Sequence, residues 1–246
     1  MKAALFITCL ADGMAPDVAK ATVRLLRRLG VEVEVPMAQS CCGQAHINTG
    51  YPREAYPLVR KQVSAFEGYD YIVSPSGSCT ASIRHQHPGV ARGQGDEPLA
   101  LAAENLGKRT YELSEFLIDV LEVEDVGAYF PHRVTYHPTC HSLRLLRVGD
   151  RPLRLLRKVQ EIDLVELPDA ETCCGFGGTF SVKNSAVSSA MLADKTAAIK
   201  ASGASVCTAG DASCLLHIGG GLSRQNAKAK PLHLAEILAA TKEDAQ

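Results

Sequence analysis

Two short stretches, AQSCCGQAH at residues 38–46 and AETCCGFGG at residues 170–178, share adjacent cysteines followed by glycine. Single cysteines flank each pair at similar distances, with 31 and 36 intervening residues in the first copy and 32 and 39 in the second. So long a pattern in two copies indicates an internal duplication. The cysteines that take part are Cys9, Cys41, Cys42, Cys79, Cys140, Cys173, Cys174 and Cys214.

The ends of the two copies also agree, because YELSEFL at 111–117 resembles LHLAEIL at 232–238. The first copy is longer, mainly through HPGVARGQGDEP at 87–98, whose glycines and prolines predict a surface loop. We therefore predict two domains, residues 1–127 and residues 128–246.

Each copy has the pattern strand, helix, strand, helix, strand. In the first copy, short apolar runs alternate with segments whose apolar residues recur at helical spacing, beginning with a helix at Pro16. Strands that alternate with helices indicate parallel α/β units with right-handed crossovers. The predicted fold class is α/β, with two tandem parallel α/β domains related by a pseudo-two-fold axis.

The loops that follow parallel strands emerge at one edge of the sheet, where ligands of open α/β sheets bind. Each repeated cysteine or cysteine pair lies just beyond a predicted strand. We therefore expect four thiols to converge on one crevice in each copy.

Bulk properties exclude several classes of partner. The 26 Lys and Arg residues nearly balance the 27 Asp and Glu residues, so no polyanionic partner such as nucleic acid is expected. No apolar run approaches the roughly 20 residues of a membrane span. Nine cysteines without an export signal favour a reducing compartment, where clustered thiols bind metal or do redox work.

Four thiolates suit either an iron–sulfur cluster or zinc. The chain has no C-x2-C knuckle of the kind that usually holds structural zinc, and adjacent cysteines reach a larger cluster more easily than a single ion. Gly43 and Gly175 would allow the backbone to approach such a cluster closely. We expect an iron–sulfur cluster, with zinc in one or both halves as the alternative.

The repeated C…CCG…C arrangement resembles the CCG cysteine-rich domain family, which includes the cysteine-rich chain of heterodisulfide reductase and the iron–sulfur chain of glycolate oxidase. As a stand-alone pair of domains, the chain is most similar to the lactate-utilisation branch of that family. The resemblance implies a cytoplasmic subunit with one [4Fe–4S] cluster in each half, held by the eight repeated cysteines. It also implies oxidation of L-lactate to pyruvate with two partners, a ferredoxin-like iron–sulfur subunit and a further lactate-utilisation subunit.

The chain departs from the cysteine-rich chain of heterodisulfide reductase where that protein has a fifth cysteine in each domain. Ser82 and His217 stand at those positions. Four ligands in each half would still hold a [4Fe–4S] cluster, and its cubane or noncubane form is left open. His46, His141 and His217 are candidates for hydrogen bonding or proton transfer beside the cysteines, with an ordinary loop or capping role as the alternative.

Two other features have plainer interpretations. Cys207 lies inside a predicted strand and is expected to be a core thiol, and HIGGGLSR at 217–224 is expected to be a flexible turn.

No catalytic base is assigned by any motif, so the isolated chain is expected to be inactive. The alternatives to an electron-transfer subunit are a zinc-stabilised interaction module and a thiol enzyme of heterodisulfide reductase type, in which vicinal cysteines cycle between dithiol and disulfide.

Overall fold

The computed structural model describes residues 1–245, which form two four-stranded sheets that are parallel throughout. The predicted α/β class with two repeated units is confirmed. The strand orders are β2-β1-β3-β4 and β6-β5-β7-β8, so the two sheets have the same topology. The strands are β1 (Lys2–Leu5), β2 (Glu32–Glu34), β3 (Ile72–Ser74), β4 (Thr110–Glu112), β5 (Arg133–Tyr136), β6 (Asp163–Val165), β7 (Val206–Ala209) and β8 (Lys230–His233).

Helices connect the strands and cover the sheets. The α-helices are α1 (Cys9–Met14), α2 (Pro16–Arg28), α3 (Gln44–Asn48), α4 (Pro52–Ala65), α5 (Gly77–Ala81), α6 (His87–Gly93), α7 (Glu97–Lys108), α8 (Leu113–Glu115), α9 (Arg151–Arg157), α10 (Phe180–Lys183), α11 (Ser185–Ala201), α12 (Ala212–Arg224) and α13 (Leu234–Ala239). Three π-helical turns, at Ser82–Gln86, Phe116–Val120 and Ser142–Leu146, and a 3₁₀ turn at Glu243–Ala245 complete the described elements. None of these helices is both long enough and apolar enough to cross a bilayer.

The predicted helix at Pro16 illustrates how the sequence sets local structure. Proline begins α2, where its missing N–H is harmless. Leu25 and Leu26 are buried, whereas Arg27 and Arg28 occupy the last turn, where positive charge complements the helix dipole. The helix therefore presents an apolar face to the core.

The similar ends of the two copies are a fourth strand followed by a capped helix. Glu112 caps α8 and His233 caps α13, and in each case a glutamate three residues later reaches back to the backbone N–H of the cap. Strands β4 and β8 were not predicted, because their sequences, TYE and KPLH, contain no run of apolar residues.

Two predictions about irregular segments are wrong. The expected surface loop at 87–98 contains α6 and the start of α7, with Pro88 in the first turn of α6 and Asp96 accepting a hydrogen bond from the Leu99 N–H. The expected turn at 217–224 lies inside α12. Its glycines allow close packing, because a Cβ on Gly219 would lie 2.7 Å from Cγ of Pro231 in β8.

The main apolar core draws on both copies. It includes Leu25 and Leu26 of α2 together with Ile237 and Leu238 of α13. At the end of α13, the Arg28 guanidinium donates hydrogen bonds to the carbonyls of Leu238 and Ala239. The last helix of the second copy therefore packs on the first copy. The division into residues 1–127 and 128–246 stays a prediction.

Candidate metal centre

A cavity of about 450 Å³ lies between the two copies, beyond the carboxyl ends of strands β1, β3, β5 and β7. Its lining includes all eight repeated cysteines, four from each copy. The sequence predicted one crevice in each copy, whereas in the structure both sets of thiols open on the same cavity. The copies also contact each other beside this cavity, where the hydroxyl of Thr179, a lining residue, lies 2.5 Å from the hydroxyl of Thr49.

In the first copy the four thiols form two close pairs. Cys9 and Cys41 lie 3.5 Å apart between their sulfur atoms, and Cys42 and Cys79 lie 3.2 Å apart. Cys9 is exposed and Cys41 is half-buried, whereas Cys42 and Cys79 are buried. The structure thus brings together thiols that are up to 70 positions apart in the chain.

The second copy repeats this arrangement. The sulfur atoms of Cys140 and Cys173 lie 3.3 Å apart. The sulfur atoms of Cys174 and Cys214 and a ring nitrogen of His137 all lie within 4.8 Å of one another, and all three residues are buried. The second group therefore contains a nitrogen donor that the sequence analysis did not single out.

The glycine after each cysteine pair is required by the shape of the loop. Gly43 and Gly175 have φ angles of +78° and +89°, which side chains rarely adopt. Their N–H groups donate to the sulfur atoms of Cys41 and Cys173 at 3.4 and 3.3 Å. A Cβ on Gly175 would also lie 2.7 Å from the carbonyl oxygen of Ser188. The loop geometry therefore aims a backbone donor at one sulfur in each copy.

These donors favour the thiolate form of one cysteine in each pair. Hydrogen bonds from the thiols of Cys42 and Cys9, together with the Gly43 N–H, hold the pKa of Cys41 far below its ordinary value. Hydrogen bonds from the thiols of Cys140 and Cys174, together with the Gly175 N–H, do the same for the pKa of Cys173. A low thiol pKa suits metal binding, because the thiolate is the ligand.

The donor set fits the metal group that the cysteine pattern implies. Each copy offers four thiols, which is the number that holds a [4Fe–4S] cluster. Metal binding deprotonates such thiols, and the backbone N–H of Gly43 or Gly175 would stabilise the charge. The assignment of the eight cysteines as ligands stays a prediction.

The other candidate residues lie in different surroundings. His46 is exposed, and His141 lines the cavity. His217 lies beside Phe176 and 3.3 Å from the Ser188 hydroxyl, and it is not among the lining residues. Cys207 is fully buried within β7, as the sequence predicted, and burial raises its pKa to about 12.

Asp211 connects the two copies and was missed by the sequence analysis. Its carboxylate accepts hydrogen bonds from the hydroxyls of Ser76, Ser78 and Thr139 at 2.5, 2.8 and 2.8 Å, and from the Ser78 N–H. Ser76 and Asp211 both come three residues before a repeated cysteine, and aligning the copies position by position would have identified the pair. The carboxylate fixes the loop before Cys79 from the other copy.

Two buried histidines were also missed. The Nε2–H of His87 donates a hydrogen bond of 2.7 Å to the Cys42 carbonyl oxygen, which orients the first cysteine pair. His137 directly follows β5 and lies beside Cys174 and Cys214. Burial, followed by the charge of Lys195, lowers the pKa of His137 to about 4, so its ring is neutral at pH 7.

Comparison with known proteins gives consistent matches. The profile of the CCG cysteine-rich domain matches residues 3–84 and 134–219. Three proteins named lactate utilization protein A are similar to this chain over 97% of its length. The protein from Bacillus pumilus is 46% identical and the match covers 99% of it, and the protein from Geobacillus kaustophilus is 47% identical with 98% covered. The protein from Bacillus subtilis is 44% identical, with 99% covered. The resemblance predicted from the cysteine pattern is confirmed. The chain belongs to the CCG cysteine-rich domain family and carries two copies of that domain.

Proposed function

We propose that this protein is an iron–sulfur electron-transfer subunit that works in lactate utilisation, the oxidation of L-lactate to pyruvate. The observation that carries the proposal is the convergence of two four-thiol groups on one cavity. The names of the similar proteins supply the substrate class. The same proposal includes a cytoplasmic location and two partners, a ferredoxin-like iron–sulfur subunit and a further lactate-utilisation subunit.

When bound, an iron–sulfur cluster stores and transfers single electrons. The residues of this chain would hold and tune it. The eight cysteines are the proposed ligands, and the N–H groups of Gly43 and Gly175 stabilise negative charge on the sulfur atoms of Cys41 and Cys173. Burial of one thiol pair in each copy limits access of water.

The metal content tests this proposal directly. Protein purified without oxygen is expected to be brown and to contain iron and acid-labile sulfide in both halves. Cys42→Ser and Cys174→Ser are each expected to remove iron from one half, whereas Cys207→Ser should leave iron unchanged because Cys207 lies in the core. Equal loss of iron from all three variants would contradict the ligand assignment.

The same assay separates the two alternatives. Zinc without iron or sulfide would favour an interaction module stabilised by zinc. Absence of all three would favour a thiol enzyme in which the Cys41–Cys42 or Cys173–Cys174 pair cycles between dithiol and disulfide.

Partner dependence is a second test. The protein offers thiols to hold electron-storing clusters, but no motif assigns a catalytic base. The isolated chain is therefore expected not to oxidise L-lactate with artificial acceptors, even with its clusters restored. Addition of both partner subunits should produce pyruvate. Robust turnover by the isolated chain would contradict the subunit proposal.

A further inference from the structure

The two copies differ at one buried position beside the cysteines. Phe6 and His137 each lie three residues before the first cysteine of their copy, and both side chains are fully buried. Phe6 packs edge-on against Phe66, with 5.8 Å between the ring centroids, which is an ordinary apolar contact. His137 puts a polar ring where the first copy needs only an apolar one.

His137 is also unsatisfied. The Ala170 backbone lies near the His137 ring, but neither ring nitrogen makes a hydrogen bond of normal geometry. His87 and His233, the other histidines buried to the same degree in residues 1–245, each use one nitrogen. An unpaired buried polar group destabilises the folded protein. A metal group bound to the ring nitrogen of His137 would remove that destabilisation.

The ring is aimed at the thiols. One of its nitrogens lies within 4.8 Å of the sulfur atoms of both Cys174 and Cys214, which also lie within that distance of each other. The nearby cation does not compete for these thiols, because the Lys195 ammonium donates to the carbonyls of Asp169 and Ala170 at 2.9 and 3.1 Å. Imidazole nitrogen and thiolate sulfur are a common mixed donor set for iron and zinc.

We propose that His137 is a direct nitrogen ligand of the metal group in the second copy, shared with Cys174 and Cys214. The inference rests on the proposed metal-binding function and adds to it that the two centres are chemically different. The first copy has an all-sulfur donor set and the second a mixed one.

The test uses the full chain labelled with ¹⁵N-histidine and the metal group that the protein retains on anaerobic purification, reduced for pulsed EPR spectroscopy. Should that metal be zinc, Co²⁺ is loaded in its place. Cys42→Ser protein, which keeps the second centre, is expected to give a strong nitrogen hyperfine coupling that changes with the ¹⁵N label. Cys174→Ser protein, which keeps the first centre, is expected to give none.

A variant of the ring completes the test. His137→Phe copies the residue of the first copy and should abolish the coupling, whereas His217→Phe, the matched control in the same copy, should keep it. A second centre that binds metal without a label-sensitive coupling would overturn the role of His137 and leave the proposed function intact. A protein that binds no metal in either copy would overturn both.

Discussion

Glu112 is a carboxyl group enclosed by the protein. Its side chain accepts hydrogen bonds from the N–H and the hydroxyl of Ser114, and it is nearly inaccessible to water. Burial raises its pKa from 4.5 to about 7, and the negative charges of Glu115 and Asp211 act in the same direction. The Ser114 hydrogen bonds oppose this shift only partly. Glu112 therefore stays protonated over a pH range in which an exposed glutamate is ionised.

This shift predicts a pH-dependent stability. Below pH 4.5 the Glu112 carboxyl is protonated in both the folded and the unfolded protein. Between pH 4.5 and 7 it ionises only in the unfolded chain. The free energy of unfolding therefore falls as pH rises through this range, by on the order of 3 kcal/mol in total. Glu112→Gln is expected to flatten this fall in urea unfolding measured at several pH values. Glu67→Gln, at an exposed site, is the control and should keep the wild-type slope. An unchanged slope in Glu112→Gln would contradict the shift.

At the scale of elements, α12 shows what the sequence could and could not predict. The strands and long helices that bring the cysteines together follow from apolar periodicity and from Pro16, which is local information. The three consecutive glycines of α12 looked like a turn because glycine weakens a helix. Two of them have a tertiary reason, because Gly219 lies against Pro231 of β8 and Gly221 against Leu192 of α11. Likewise, the unpaired ring nitrogens of His137 and the contacts of Asp211 with the other copy could not be predicted, because they form only when distant segments of the chain pack together.

The glycines of α12 therefore predict opposite effects at adjacent positions. Gly219→Ala would bring a methyl group to 2.7 Å from Cγ of Pro231 and is expected to destabilise the protein by about 1–3 kcal/mol. Gly220→Ala faces open space in the same helix and is expected to stabilise it by about 0.5–1 kcal/mol. Thermal unfolding of the two variants checks the pair. Equal effects would mean that the approach of β8 is not tight.

At the scale of the whole molecule, the two copies are joined through the buried carboxylate of Asp211. Four donors of the protein point at it, three of them from the first copy. Asp211→Ala leaves those donors unpaired and is expected to lower the free energy of unfolding by about 2–4 kcal/mol. Hydrogen exchange should lose protection in residues 76–82 of the first copy, although the substitution lies in the second. Asp194→Ala, at an exposed site of α11, should leave that protection unchanged.

The packing of α13 on α2 has a consequence for synthesis of the chain. Leu25 and Leu26 leave the ribosome early, but Ile237 and Leu238, which join the same core, are made some 210 residues later. At 5–20 residues per second, the interval is on the order of 10–40 s. Throughout that time the apolar face of α2 lacks its final cover, so the nascent chain offers chaperones an exposed helix until α13 has been made.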